Sequence, residues 1–224
     1  MIVKILDEVK SIFPDIRLCV SLISDVIIRE RDSNVDNELK RIEENLKSRF
    51  SLDSLKDNEV IKAYRNFYWR IGIDPTKQRP AVEALIRRIL HGQRFPTINS
   101  AVDCINLASI QFMVSISAYD LDKISGSIIL RWSREGEKFI GIGDKEAKII
   151  PKQLVLADDE KILGLYPHRD SELSKITHLT KRILMISCGV PGVPIDVLFN
   201  AIEFASKLLE RYCHGQIVWI NYVY

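Results

Sequence analysis

Apolar residues at positions 2, 5, 6, 9 and 12 share one face of a helix, and Pro14 closes the run, so the pattern predicts a helix over 2–13. Residues 16–28 are rich in Ile, Val and Leu and predict one or two strands. From a cap at Ser33 or Asn34, Val35, Leu39, Ile42 and Leu46 recur at helical spacing. Asp36 and Glu38 come early and Lys47 and Arg49 late, the order a helix dipole favours. Asn58 opens a further helix with Val60, Ile61, Tyr64, Phe67 and Tyr68 inward. GIDPTKQRP, residues 72–80, is a turn-rich connector. Pro80 suits the first position of a helix whose stripe is Val82, Leu85, Ile86, Ile89 and Leu90. Ser100 to Asp103 resembles a capping box and starts a helix to about Met113, apolar on most sides and hence deeply buried.

After Tyr119 the period shortens. Apolar runs at 127–132, 138–142, 149–150, 154–156, 162–166 and 183–187 alternate with polar turns and predict a β-meander or a sandwich-like sheet. A last helix from Pro194 to about Tyr212, with Gly215 as its C-cap, precedes a strand over 216–222. Helices, then strands, then a helix predict a mixed α/β layered domain. The expected division is an extension over 1–57 packed on a core over 58–224, or one continuous domain.

Of 224 residues, 46% are hydrophobic, enough for a sizeable core. No apolar run reaches the length of a membrane span, and the charged start MIVKILDEVK is not a secretory signal, so a cytoplasmic location is expected. Cys19, Cys104, Cys188 and Cys213 are far apart among apolar neighbours, which favours buried thiols over disulfides. The histidines lack metal-ligand spacing, and no metal or cofactor is expected. Net charge is +2, but residues 65–94 hold seven basic and two acidic side chains, a local +5. Lys77, Arg79, Arg87 and Arg88 are its candidate nucleic-acid contacts, against the alternative of a solvated helix face.

The segment PHRDS, residues 167–171, follows the apolar run 162–166. His168 can move protons, Arg169 can hold an anion, Asp170 can bind an amino group or orient Arg169, and Ser171 can hydrogen-bond either. A polar turn capped by Asp170 and Ser171 is the competing reading. No phosphate-binding glycine loop, HExxH pair or nucleophile elbow is present. His168, Asp170 and Ser171 are neighbours whose side chains diverge, which argues against a local triad.

Four motifs in succession go further: YRNFYWRIGIDPTKQRPAVEALIRRILHG, FPTINSAVDCINLAS, SAYDLDKISGSIILR, and LVLADD followed by ILGL. In this order they resemble the editing (B-three/B-four) module of the phenylalanyl-tRNA synthetase β chain over about residues 64–187. The resemblance implies a three-layer α/β sandwich with mixed or antiparallel sheets and packed helices. It implies tRNA or aminoacyl-tRNA as partner and hydrolysis of a wrongly attached amino acid, as a free-standing relative and not a complete ligase. It places Asn106, Ser117 and Tyr119 at the amino-acid pocket, with Arg169 and Ser171 as further substrate contacts and His168 and Asp170 as candidate catalytic groups. Ser117 stands where the module often has a histidine. The strand 183–186 is apolar where the module carries an acid that recognises tyrosine, so a tyrosine pocket is not expected. A non-catalytic RNA or amino-acid binding module, and an enzyme acting on a free amino-acid derivative, are the alternatives. The residues leave open whether Asp120 pairs with Arg131 and whether Asn106 merely satisfies backbone groups.

Overall fold

The computed structural model describes residues 2–224. Its strands are β1 (Val3–Ile5), β2 (Leu18–Ser24), β3 (Ile116–Asp120), β4 (Ile128–Trp132), β5 (Lys138–Phe139), β6 (Lys148–Ile149), β7 (Leu154–Ala157), β8 (Ile162–Leu165), β9 (Arg169–Asp170), β10 (Ile183–Cys188) and β11 (Gln216–Val223). Its α-helices are α1 (Asp7–Ile12), α2 (Ser33–Arg49), α3 (Glu59–Arg70), α4 (Ala81–Leu90), α5 (Ser100–Phe112) and α6 (Ile195–Cys213).

The strands form a four-stranded antiparallel sheet, β11-β2-β10-β3, and a five-stranded mixed sheet, β1-β4-β7-β8-β9, with β5-β6 as a separate hairpin. β10 is buried along its whole length, as expected of a central strand covered on both faces. α6 packs on the four-stranded sheet and against α5, while β3 meets β9 of the other sheet. Helices, sheet and sheet are thus three layers around one apolar core, the α/β sandwich expected from the sequence. Residues 2–57 contribute β1, paired with β4, and β2, set between β10 and β11.

The helix expected over 2–13 is instead β1 followed by α1. Val3 to Ile5 pair in parallel with Ile128 to Leu130, a contact across more than a hundred residues that local periodicity does not report. Asp7 and Glu8 then sit in the first turn of α1, where the dipole favours acids. The caps also move by one residue. Asp32 caps α2 by accepting from the Asn34 amide, and Asn99 caps α5 by accepting from the amides of Ala101 and Val102. Asp103 Oδ1 reaches back to the Ile98 amide at 2.9 Å, so the acid that suggested a capping box still satisfies an orphan donor. Pro80 is the N-cap of α4, not its first turn. His214, at φ +54°, ends α6 in the left-handed region in place of Gly215. Gly215 is needed for proximity: a Cβ there would lie 2.6 Å from Ile23 and 2.9 Å from Val26. β10 leaves the expected meander and crosses to the four-stranded sheet. All four cysteines are buried free thiols. Among the described residues no helix is long and apolar enough to cross a membrane.

Candidate functional site

After β8 the chain turns at a cis Tyr166–Pro167 bond, and residues expected to form a loop return as the short strand β9. Gly164 pairs with Asp170 and Leu165 with Arg169. This register puts the Asp170 side chain at the seam between the two sheets, where Tyr119 of β3 donates its hydroxyl to Asp170 Oδ1 at 3.1 Å. A Cβ on Gly164 would lie 2.9 Å from that hydroxyl and 3.0 Å from the carboxylate, so glycine at this position lets the pair form. Burial raises the Asp170 pKa from 3.8 to about 6, against hydrogen bonds from Ser117, Tyr119 and the Ala118 backbone that favour the anion.

Two recesses adjoin at Asp170, Asn106 and Ile116. The first, about 80 Å³, is walled by Ser109, Ser115, Ser117, His168 and the start of α4. The second, about 170 Å³, is walled by Ile98, Val102, Ile105, Ile116, Ile142 and Ile176, with Lys175 at its edge. A carboxylate therefore stands between a polar recess and an aliphatic one. That arrangement suits a ligand with an apolar side chain, a central amino group and a polar reacting end. Asn106 faces both recesses, and its amide has no protein partner among the described residues.

The neighbouring residues divide. Ser117 lines the polar recess and accepts from the Cys188 thiol at 3.5 Å. His168 lines it too, but burial, and then Arg169, push its pKa down to about 4, so it is neutral at pH 7 and does not titrate near neutrality. Arg169 is oriented by Asp144, not by Asp170. Its guanidinium donates to Asp144 Oδ1 at 2.8 Å and to the Ile142 carbonyl at 3.3 Å, tying β9 to the loop after β5. Ser171 is buried away from both recesses, donating to the Ile140 carbonyl and accepting from the Leu173 amide.

Asp120 and Arg131 do not pair. Asp120 accepts from Thr180 at 2.8 Å and meets Lys123 at 3.5 Å, while Arg131 grips Glu137 with both nitrogens, at 2.6 and 2.8 Å.

Within the basic segment, Arg65 is held by the fully buried Glu83 at 3.0 Å, and Arg70 donates to the Ile12 carbonyl and covers the Phe13 ring. Lys77 is 86% exposed beside Asp74. Arg79, Arg87 and Arg88 gather with His91 around a shallow recess of about 410 Å³. Arg87 and Arg88 donate only to backbone carbonyls, of Leu52 and Arg94, so no acid among the described residues neutralises them. Ala81, Val82 and Leu85 of the same helix line the polar recess, so α4 carries both features. No cluster of three or more metal-ligating side chains occurs among the described residues.

The apolar recess is not legible as a site in the sequence, because its isoleucines read as core. Its only sequence signal is the unusually apolar circumference of α5.

The structure is a helix-covered α/β sandwich with a carboxylate set between a polar and an aliphatic recess. The chain belongs to the B3/4 domain family, whose model matches residues 63–216. That match extends beyond the motifs at 64–187 to take in α6. The chain is 32% identical over 118 residues to the phenylalanine–tRNA ligase beta subunit of Cutibacterium acnes, covering 53% of this chain and 14% of that one. It is 31% identical over 156 residues to the same subunit of Bifidobacterium longum, covering 66% and 18%. It thus spans less than a fifth of the length of these curated relatives. An N-terminal fragment of the phenylalanyl-tRNA synthetase beta-subunit from Pyrococcus horikoshii has the same fold, with TM-score 0.52 at 15% identity over 96% of this chain and 50% of that one.

Proposed function

We propose that the chain binds the aminoacylated end of a tRNA and hydrolyses the ester, removing a noncognate amino acid with an apolar side chain. The observation that carries this reading is the position of Asp170 between the two recesses. The aliphatic recess takes the side chain, the carboxylate takes the α-amino group, and the ester carbonyl is presented to the polar recess. An aminoacyl ester is already activated, so positioned water is sufficient chemistry and no protein nucleophile is required. The water oxygen bonds to the carbonyl carbon as the bond to the ribose oxygen breaks. The water's proton passes to the ribose oxygen, leaving a free amino acid and an uncharged tRNA. The basic recess formed by Arg87 and Arg88 of α4 with Arg79, just ahead of that helix, supports a phosphate-tracking surface.

One observation favours binding without turnover: Tyr119 already occupies one carboxylate oxygen of Asp170, as in a fixed anchor. A release assay separates the two. tRNAs charged with valine, isoleucine, leucine, methionine, phenylalanine or tyrosine are incubated with the protein and free amino acid is followed. Apolar esters are cleaved at least tenfold faster than tyrosyl ester, because a buried tyrosine hydroxyl without a partner costs about 1–3 kcal/mol. Tight binding of charged tRNA with no release of any amino acid leaves the binding reading in place of the hydrolase. Selective release of tyrosine contradicts the aliphatic pocket.

A further inference from the structure

Three buried polar atoms lie at or next to the polar recess: Ser115 Oγ and His168 Nδ1 on residues that line it, and Tyr68 Oη on the side chain that packs against the His168 ring. None has a hydrogen-bond partner among the described residues. Tyr68, on α3, is fully buried and meets the His168 ring edge-on, with centroids 6.1 Å apart. Ser115 and His168 line the recess, as does Ala81. The Ala81 backbone lies close enough to Tyr68 Oη, and the Tyr166 backbone close enough to the His168 ring, to counter part of the pKa shift that burial causes, yet Tyr68 Oη and His168 Nδ1 remain without a partner in hydrogen-bond geometry.

The surroundings are otherwise satisfied. Tyr64, one turn earlier on α3, donates to the Cys188 carbonyl at 2.6 Å and accepts from the Ser115 amide at 3.1 Å. Ser109 donates to the Val114 carbonyl at 2.7 Å. Loose packing therefore does not account for the three orphans. Folded proteins leave few buried polar groups unpaired, and three around one recess point to something that meets them.

Their chemistry limits what that is. All three are uncharged at neutral pH: burial holds the phenol protonated and the imidazole neutral. Each hydroxyl both donates and accepts, and so, through its two nitrogens, does the imidazole. Such a wall suits an oxygen that also donates and accepts, not an ion. The recess, about 80 Å³, is large enough to admit an oxygen the size of a water molecule. Asp170 and Arg169 are the charged residues that line it, and Arg169 is held by Asp144.

We propose that Tyr68, Ser115 and His168 hold one hydroxyl oxygen beside Asp170, either the attacking water or the free hydroxyl of the terminal ribose. Tyr68 and Ser115 are positioning residues in this scheme. Their role rests on the hydrolase reading, while the existence of the oxygen site does not.

Tyr68→Phe and Ser115→Ala each delete one hydroxyl. The first readout is the urea midpoint of the protein alone. An oxygen bound by three partners makes both variants less stable, whereas an orphan with nothing to bond makes Tyr68→Phe as stable as the parent or more so. The second readout is kcat and KM on an aminoacyl-tRNA and on the same ester with a 2′-deoxy terminal ribose. If the oxygen is water, kcat falls at least tenfold on both substrates with KM unchanged. If it is the ribose hydroxyl, the loss occurs on the natural ester only, and the parent is already slow on the deoxy ester. Unchanged midpoints overturn the site. Lowered midpoints with unchanged rates reduce it to structural water and overturn the positioning role. A parent protein without hydrolase activity defeats the functional reading alone, and the midpoints still decide the site.

Discussion

Replacing Asp170 with asparagine should make the protein more stable at neutral pH. Burial lifts the carboxyl pKa from 3.8 to about 6, so the ionised form is disfavoured in the folded state. Because the folded value lies above the unfolded one, the cost is absent below pH 4, grows between 4 and 6, and is complete above 6. A rise from 3.8 to about 6 corresponds to about 3 kcal/mol at most, and because Asp170 is only half-buried by residue exposure, solvent reduces it to about 2 kcal/mol. Asparagine has nearly the same shape, still accepts from the Tyr119 hydroxyl and carries no charge. Urea unfolding of both proteins at pH 7.5 and pH 4 measures the difference directly. The Asp170→Asn variant is expected to be more stable by about 2 kcal/mol at pH 7.5 and by close to nothing at pH 4. A variant that is less stable at pH 7.5, or a difference that ignores pH, would refute the reasoning. A residue that weakens the fold at working pH has its explanation in ligand binding, and this is the physical argument for Asp170 as a functional group.

Further outcomes follow from other contacts. Tyr64→Phe strips a buried bond from both the Cys188 carbonyl and the Ser115 amide and should cost about 2 kcal/mol in urea unfolding. Reversing charge at Arg87 and Arg88 should weaken tRNA binding across sequences and flatten the dependence of log Kd on log salt; binding that ignores salt would rule out a phosphate-tracking surface. Deleting residues 1–57 removes β2 from between β10 and β11, so the remainder should lose its cooperative thermal transition.

The helices are legible in the sequence where one apolar stripe faces one layer, as in α2, α3 and α6. The strands are legible where apolar runs are bounded by turns, as in β4, β7 and β8. β1 reads as helix because Ile2, Ile5 and Val9 happen to fall at helical spacing, and its pairing partner lies far along the chain. β9 carries no apolar signal at all, since Arg169 and Asp170 are polar and are ordered by pairing with β8 and by Tyr119. The motifs lead to Asn106, Ser117, His168 and Asp170, which line one recess. Asp144 as the partner of Arg169 is not legible, because the two are brought together only by the hairpin after β4. Tyr68 and Ser115 read as packing residues, since an unpaired hydroxyl is a property of three-dimensional surroundings.

In the proposed hydrolase, Asp170 is kept charged for a substrate at the cost of stability. Single-turnover release of an apolar amino acid from its tRNA ester, at pH 7.5, comparing the parent with Asp170→Asn, tests it most directly. The parent is expected to release the amino acid well above the buffer rate, and the better-folded variant at least a hundredfold more slowly. Equal rates in the two proteins, or release by neither, would contradict it.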